Sequence, residues 1–174
     1  DKFTNKRILL SGDLLRTLVC NELSIPIVIN RDYSIPKWVS LDTLIILSSY
    51  SGNTEEVISC YNKCLILGNK PIIISSGGYL LREAKKHNFS FLKMPSGYMP
   101  RVALGYSITS LLLLLNNLGV IECNIKDLRA VVKQLKHDST LYIKNQNNAT
   151  ELAKKIHNKF CLIYTSSTME IVGL

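Results

Sequence analysis

No apolar run in the sequence is long enough to cross a membrane. The longest leucine run, residues 111–115, is ended by two asparagines, whereas a membrane-spanning helix needs about 20 consecutive apolar residues. Hydrophobic residues make up 47% of the 174-residue chain, a fraction typical of a compact folded protein. We therefore predict a chain with a buried core and no membrane partner.

The sequence also has no run of basic residues, although its formal net charge is +8. A positive balance of this size suggests nucleic-acid binding. The lysines and arginines are scattered, however, and no stacking aromatic residues lie between them, as a single-strand binding groove would require. We interpret the charge as solvated helical faces, or as a surface that attracts anionic substrates, and we expect no nucleic-acid partner.

Cysteine pairs at redox or metal-binding spacing are absent. The chain has five cysteines, an odd number, and none forms a Cys-x-x-Cys pair. Cys60 and Cys64 lie one helical turn apart, but no histidine or second thiol pair accompanies them, so core packing is favoured over metal ligation. This cysteine usage predicts free thiols that act as small core residues in a reducing cytoplasm, and we expect no metal site.

What the sequence does contain is an alternation of short β-branched runs with helical stretches, which predicts an α/β protein with a parallel sheet. The runs show no polar alternation, as expected where helices cover both faces of a sheet. We predict five strands, at residues 7–10, 26–29, 43–47, 71–74 and 89–93. We predict helices at residues 13–21, 54–67, 80–87, 101–118, 125–136 and 150–158.

These patterns predict a chain organised in three parts. Residues 1–122 form an α/β domain, and the long helix near its end is apolar almost all round, so it should be buried in the domain or at an interface. Residues 123–158 form a linker that contains an amphipathic helix. Residues 159–174 contain a new strand, at 160–164, followed by a polar turn. Because another α/β unit would start in this way, we interpret them as the first strand of a second, truncated domain.

The segment Ser-Tyr-Ser-Gly-Asn-Thr, which follows the third predicted strand and opens a helix, has the features of a phosphate-binding loop. Unsatisfied first-turn N–H groups and the helix dipole favour an anion there. A Walker loop would need a Gly-Lys-Ser/Thr end, which is absent. An ordinary helix cap is the alternative, but three hydroxyls and a glycine in six residues favour the anion site. The proposed donors are the hydroxyls of Ser49, Ser51 and Thr54 and the backbone N–H groups of Gly52, Asn53 and Thr54.

A second glycine-containing turn follows the fourth predicted strand. Its sequence, Ser75-Ser76-Gly77-Gly78, could form another phosphate nest. A tight strand-to-helix turn explains the two glycines equally well, and we favour that interpretation.

Two segments resemble a known family. The eight residues from Ser49 to Glu56 resemble the signature of the sugar isomerase (SIS) domain, a flavodoxin-like phosphosugar-binding fold. Residues 95–107 resemble the Pro-Arg-x-Ala-Leu-Gly-Tyr stretch of the bifunctional phosphoglucose/phosphomannose isomerases, and this match is far more specific. The resemblance covers most of residues 1–120, and the residues that follow suit the linker and the start of the family's second SIS domain.

The resemblance implies both the architecture and the site. It implies a flavodoxin-like SIS domain, with a five-stranded parallel sheet flanked by helices, followed by the start of a second SIS domain. It also implies a homodimer that acts on a sugar phosphate without any cofactor. Arg101 is implied to assist catalysis at the reacting carbons, and Ser49, Ser51 and Thr54 are implied to bind the sugar phosphate.

The sequence departs from the family pattern in two respects. The family's Gly-x-Gly-Gly-Ser turn after the first strand is missing, and only Ser11-Gly12-Asp13 resembles the residues just after it. The family's catalytic glutamate and ring-opening histidine lie in its second domain. The histidines of this chain match neither motif and are interpreted as surface residues: His87, His137 and His157. We therefore expect the chain to bind a phosphosugar without completing the reaction alone.

Two functions are compatible with these residues. The first is an isomerase that interconverts glucose 6-phosphate or mannose 6-phosphate with fructose 6-phosphate through a cis-enediol. The second is a non-catalytic SIS module that senses a phosphosugar. Arg101 favours the enzyme, because a fixed guanidinium stabilises the negative charge that develops in the transition state. A sensor would need the serine loop but not that arginine.

Overall fold

The computed structural model describes residues 10–144 and 146–165, and the chain divides into two compact units, Asp1–Ile121 and Glu122–Leu174. The first unit is an α/β structure, as predicted. Its elements, in chain order, are α1 (Leu10–Val19), β1 (Ile46–Ser48), α2 (Glu55–Leu67), β2 (Ile72–Ser75), α3 (Gly78–Lys86), β3 (Phe91–Lys93), a 3-10 turn (Pro100–Val102) and α4 (Leu104–Asn117).

The three strands form a parallel sheet in the order β1-β2-β3, so that β2 is the middle strand. Ile46 is paired with Ile72, and Ile74 is paired with Leu92. The strands are short apolar runs joined by α2 and α3, which is the usual way to connect parallel neighbours. Because all three strands run in the same direction, their carboxyl ends meet at one edge of the sheet.

The core of the first unit lies between the sheet and the helices that connect its strands. Tyr61 of α2, Ile73 of β2 and Leu80 of α3 are fully buried. The ring of Tyr61 meets Tyr79 and Phe89 edge-on, with centroid distances of 6.2 and 6.4 Å. Such edge-to-face pairs add to the stabilisation from burial. The sheet and its two crossover helices are therefore held together by one apolar cluster.

Three of the five predicted strands are found, with slightly different bounds. The segment 26–29, predicted as a strand, is irregular, and Val28 is exposed. The prediction was wrong because, among the residues that the structure describes, no strand lies beside this segment to complete a hydrogen-bonded ladder. Leu10, predicted to end the first strand, instead begins α1. The rest of that predicted strand, residues 7–9, lies outside the described residues.

The predicted helices are found, also with changed bounds. Gly68 ends α2 in a left-handed conformation, at φ 78°, and its N–H bonds to the carbonyls of Cys64 and Leu65, as the sequence predicted. The helix predicted at 101–118 is divided into the 3-10 turn and α4. The division follows from Ala103, whose N–H bonds to the carbonyl of Pro100 only three residues before it. That helix was predicted to be buried in the domain or at an interface, and within this chain α4 buries one row of residues: Ser107, Leu111 and Leu115.

The second unit contains two helices, α5 (Ile125–Tyr142) and α6 (Asn148–Ile156), and neither has a buried residue. The apolar stripe predicted along α5 is present but exposed. Asn147 caps α6 and forms a capping box with Thr150, so the helix begins before the predicted position 150. The predicted strand 160–164 is irregular and exposed, because the described part of the chain offers it no partner strand. Residues 166–174, the rest of the predicted start of a second domain, lie outside the described residues.

All five cysteines are free thiols, but only two are core residues. Burial raises the pKa of Cys64 to about 11, with a further contribution from Cys60, and burial also raises the pKa of Cys60. The prediction of core packing was therefore right for this pair and wrong for Cys20 and Cys161, which are exposed. No helix within the described ranges has the length and apolar character to span a membrane.

Candidate functional site

Three loops meet at the carboxyl edge of the sheet, one after each strand. The first begins at Ser49, the second at Ser76 and the third at Met94. Backbone hydrogen bonds continue the sheet into the loops, since the N–H of Ser49 donates to the carbonyl of Ile74 at 3.0 Å and that of Met94 donates to Ser75 at 2.9 Å. This edge is where open α/β sheets bind their ligands.

The hydroxyl of Thr54 does not act as a helix cap. Thr54 is the N-cap residue of α2 and has the extended backbone, φ −68° and ψ 122°, that a capping residue requires. Its side chain nevertheless makes no capping hydrogen bond. The hydroxyl instead lies 2.7 Å from that of Ser49. The geometry thus argues against the ordinary-cap interpretation, because the Thr54 hydroxyl contacts the Ser49 hydroxyl rather than a first-turn N–H group of α2.

Ser49 is fully buried, which differs from the exposed donor that the sequence led us to expect. Its hydroxyl accepts a hydrogen bond from the N–H of Gly52 at 3.1 Å. The N–H of Asn53 donates to the hydroxyl of Ser51 at 3.2 Å. Two of the three N–H groups proposed as anion donors are therefore engaged within the loop. The residues of this loop with exposed or half-exposed surface are Ser51, Asn53 and Thr54.

Two glycines allow the first and second loops to pack backbone against backbone. Gly52 has φ +70°, and a Cβ placed on it would lie 2.0 Å from the carbonyl oxygen of Gly77. Gly78 has φ +73°, and its Cβ would lie 2.1 Å from the carbonyl oxygen of Ser51. No side chain fits at either position. The Gly77-Gly78 pair is therefore a tight turn against the first loop.

The first loop also caps the helix that follows the second. The side-chain oxygen of Asn53 accepts from the N–H of Tyr79 at 2.8 Å, and the carbonyl of Gly52 accepts from the N–H of Leu80 at 3.0 Å. First-turn donors of α3 are thus engaged by the first loop, and the alternative of a second phosphate nest is not supported. Sequence reasoning missed this use of Asn53, because the residues involved are 26 positions apart.

Tyr50 connects all three loops. Its carbonyl accepts from the N–H of Ser76 at 3.0 Å and from the Ser76 hydroxyl at 2.6 Å. Its own hydroxyl donates to the carbonyl of Pro95 and accepts from the N–H of Tyr98, both at 3.0 Å. Sequence reasoning assigned Tyr50 no role. The only signal was a large aromatic residue within a loop of small polar ones.

The third loop leads into the 3-10 turn that contains Arg101. The backbone of Arg101 follows Tyr98 by three residues, while its side chain lies outside the described part of the structure. In the same segment, the rings of Tyr98 and Tyr106 pack with centroids 5.3 Å apart. The hydrogen bond between the hydroxyls of Tyr106 and Tyr98 is the main cause that raises the pKa of Tyr106 above its usual value. The third loop, which Tyr50 contacts at Tyr98, thus connects the first loop with the 3-10 turn that contains Arg101.

The charged residues near the first loop are mainly acidic. Glu55 and Glu56 occupy the first turn of α2, where they stabilise the helix dipole. Burial, followed by the carboxylates of Glu56 and Glu55, raises the pKa of Tyr33. The Tyr33 carbonyl accepts from Ser59 at 2.8 Å and from Lys63 at 2.9 Å, so the segment around Tyr33 lies along α2. Sequence reasoning missed this contact as well.

The described residues include no group of three or more histidine, cysteine or acidic side chains that could hold a metal ion. Cys60 and Cys64 are core residues. The three histidines are exposed, as predicted, and His87 lies 3.4 Å from the carboxylate of Glu83. The chemistry that the described side chains and backbone offer at the sheet edge is therefore that of hydroxyls, helix N–H groups and the carboxylates in the first turn of α2.

No family model matches the chain, but curated proteins do. It is 41% identical over 169 residues to the bifunctional phosphoglucose/phosphomannose isomerase of Caldicellulosiruptor bescii, covering 94% of this chain and 50% of that protein. It is 30% identical over 141 residues to the protein of the same name from Aquifex aeolicus, covering 81% and 41%. It is 29% identical over 161 residues to the D-glucosamine-6-phosphate 4-epimerase of Sulfolobus acidocaldarius, covering 92% and 49%. The chain spans about half the length of these relatives.

Proposed function

The chain belongs to the family of the bifunctional phosphoglucose/phosphomannose isomerases, and we propose that it supplies the phosphate-binding half of an aldose–ketose isomerase. The substrates would be glucose 6-phosphate or mannose 6-phosphate, with fructose 6-phosphate as the ketose. The names of the two isomerase relatives support this choice of substrate. The more distant relative is named for an epimerase that acts on a phosphorylated aminosugar, which is consistent with a phosphate-binding scaffold that hosts more than one reaction.

The observation that carries the proposal is the N-terminus of α2, where the Thr54 side chain makes no capping hydrogen bond, with an exposed hydroxyl in the preceding loop. The helix dipole favours an anion at that point. The exposed hydroxyl is that of Ser51. We propose that Ser51, Thr54 and the helix N–H groups bind the sugar phosphate. Ser49 would act indirectly, because its buried hydroxyl fixes Thr54 and Gly52.

Arg101 would act at the other end of the substrate. Isomerisation moves a proton between C1 and C2 through a cis-enediolate, whose oxygen carries the developing negative charge. A guanidinium held near that oxygen stabilises the transition state more than the ground state. The chain would thus hold the phosphate and stabilise the enediolate. The base and the ring-opening acid would come from the family's second half, so we do not expect this chain to turn over substrate alone.

The wider expectations from the family remain proposals. The three-stranded parallel sheet flanked by helices is compatible with an SIS domain. A homodimer follows from the family resemblance, and a cytoplasmic location follows from the cysteine usage. No cofactor is required, because the proposed chemistry needs only proton transfer and charge stabilisation.

Calorimetric titration with glucose 6-phosphate tests the phosphate site. The double variant Ser51→Ala/Thr54→Ala should bind at least tenfold more weakly, since each hydrogen bond to a charged group contributes about 1.5–3 kcal/mol. Ser139→Ala/Thr140→Ala on α5 is the matched control and should bind like the unmodified chain. Inorganic phosphate should compete with glucose 6-phosphate, whereas glucose should not. Unchanged affinity in the loop variant would rule out the phosphate site.

An isomerase assay of the full-length gene product, on both hexose 6-phosphates, separates the enzyme from a sensor. Turnover is expected, and Arg101→Ala should lower kcat by about 10²–10³-fold while leaving inorganic phosphate binding unchanged. Phosphosugar binding without any turnover would favour the non-catalytic SIS module instead.

A further inference from the structure

We propose that Tyr50 is a positioning residue, whose hydroxyl sets the distance between the phosphate loop and the turn that contains Arg101. The inference rests on the proposed function, because it concerns how two parts of that site are kept in place. Tyr50 lies between Ser49 and Ser51, and only 5% of its surface is exposed. Its side chain therefore points into the fold rather than toward a ligand.

The hydroxyl of Tyr50 closes the third loop. The groups that it joins, the carbonyl of Pro95 and the N–H of Tyr98, are three residues apart. In an ordinary β-turn these two groups bond directly to each other. Here the hydroxyl stands between them as acceptor and donor, at 3.0 Å from each. The opening of this loop is therefore determined by a residue of the first loop.

The third loop has few other supports. Its residues 95–98 are exposed, in contrast to Met94 just before them, which is buried. Gly97 has φ +93°, and a Cβ built on it would meet no atom within 4 Å. The backbone of this loop is thus held by Met94 at its start and by the Tyr50 hydroxyl at two points, while the Tyr98 side chain at its end packs on Tyr106. Removing the hydroxyl should let the loop close directly on itself and move.

Such a movement would reach Arg101. The chain from Tyr98 to Arg101 covers three residues, or about 10 Å at most. Met99 is the N-cap of the 3-10 turn, and Pro100 is its first residue, which restricts the backbone torsion between the loop and the arginine. A displacement of about 1 Å in a catalytic group is enough to lower a rate strongly.

The other end of the connection is the phosphate loop itself. The Tyr50 carbonyl is held by the N–H and hydroxyl of Ser76, and the neighbouring Gly52 is packed against Gly77. These contacts do not involve the Tyr50 hydroxyl. Loss of that hydroxyl should therefore leave the phosphate loop intact while releasing the third loop. This separation makes the positioning role testable.

The test uses two ligands that engage different parts of the site. Inorganic phosphate probes only the phosphate loop. The second ligand is 5-phospho-D-arabinonate, whose carboxylate resembles the enediolate and should also reach Arg101. Tyr50→Phe should weaken binding of the arabinonate by about tenfold and change phosphate affinity less than twofold. The control Tyr142→Phe, at an exposed tyrosine of α5, should change neither affinity.

Each outcome of the titrations is informative. If the unmodified chain binds neither ligand, the proposed function itself fails. If it binds both and Tyr50→Phe weakens both equally, or weakens neither, the positioning role is wrong although the phosphate site stands. Should Tyr50→Phe not fold, Gly97→Ala strains the same loop without altering the buried ring. Gly97→Ala should also weaken binding of the arabinonate selectively. If it changes the affinity for the arabinonate no more than the affinity for phosphate, the proposal is overturned.

Discussion

The two units of the chain differ in how far they bury their apolar residues. In the first unit, Tyr61, Ile73 and Leu80 are fully buried around a parallel sheet. In the second, the helices α5 and α6 bury no residue, although α5 contains an apolar stripe. The sequence pattern thus predicted helices correctly in both units. A helix buries its apolar face only where another element packs against it, and the spacing of apolar residues does not specify that element.

The candidate site also lies in the first unit. The contacts that connect its loops, from Tyr50 to Tyr98 and from Asn53 to Tyr79, join segments that follow different strands. The hydrogen bonds of the second unit are local, as in the capping box of Asn147 and Thr150. The difference indicates that a candidate site needs a sheet edge to bring separate loops together. Four predictions test how far this contrast holds.

The largest effect is expected from truncating a core leucine. Leu80→Ala should lower the free energy of unfolding by about 2–5 kcal/mol, because Leu80 is fully buried and its truncation leaves a cavity in the core. Leu135→Ala, at a leucine of α5 that is 62% exposed, should cost less than about 0.5 kcal/mol. Urea unfolding followed by circular dichroism measures both. A Leu135→Ala cost as large as that of Leu80→Ala would break the comparison, since α5 would then be buried in solution.

Adding one methyl group to the packed glycines should have the next largest effect. Gly52→Ala would place Cβ 2.0 Å from a carbonyl oxygen at a positive φ, so we expect a loss of about 2–4 kcal/mol in unfolding free energy. Binding of glucose 6-phosphate should fall with it. Gly105→Ala is the control, because its Cβ would meet no atom within 4 Å, and alanine favours the helix. Thermal unfolding compares the two. A Gly52→Ala chain as stable as the original would mean that the two loops are not in contact.

The smallest effect concerns thiol reactivity. Because burial raises the pKa of Cys64 to about 11, this thiol and Cys60 should resist alkylation by iodoacetamide at pH 8. Cys20 and Cys161 are exposed and should react quickly, since the thiolate is the nucleophile. Mass spectrometry of digested samples gives the rates, and all five should react alike in denaturant. Equal rates for Cys64 and Cys161 in the folded chain would contradict the burial.

The same thiol predicts a pH effect on stability. The usual pKa of a free thiol is 9.0, against about 11 for Cys64 in the fold. Below pH 9 the thiol is neutral in both states, and its contribution to stability is fully present. As the pH rises from 9 toward 11, the unfolded state loses its proton first, so the free energy of unfolding should fall. Cys64→Ala should flatten this dependence.

Much of the fold could be predicted where local chemistry decides it. The isoleucine runs of β1 and β2 predicted parallel strands, and Gly68 predicted the end of α2. The segment 26–29 has the same composition but forms no strand, because pairing depends on a neighbour elsewhere in the chain. Residues 160–164 form no strand for the same reason. The composition of a segment gives its tendency to adopt an extended backbone, but a β-strand also needs a second segment with which to form hydrogen bonds.

For the candidate site, the sequence by itself determined the serine-rich loop, its position after a strand and at the start of a helix, and the arginine motif. Only the tertiary structure decided that Ser49 is buried, that Asn53 caps α3, and that Tyr50 joins the three loops. Those roles depend on hydrogen bonds between residues 26 to 48 positions apart. Spacing along the chain carries information about neighbours within one or two helical turns. Contacts between loops arise only when the sheet aligns the ends of its strands.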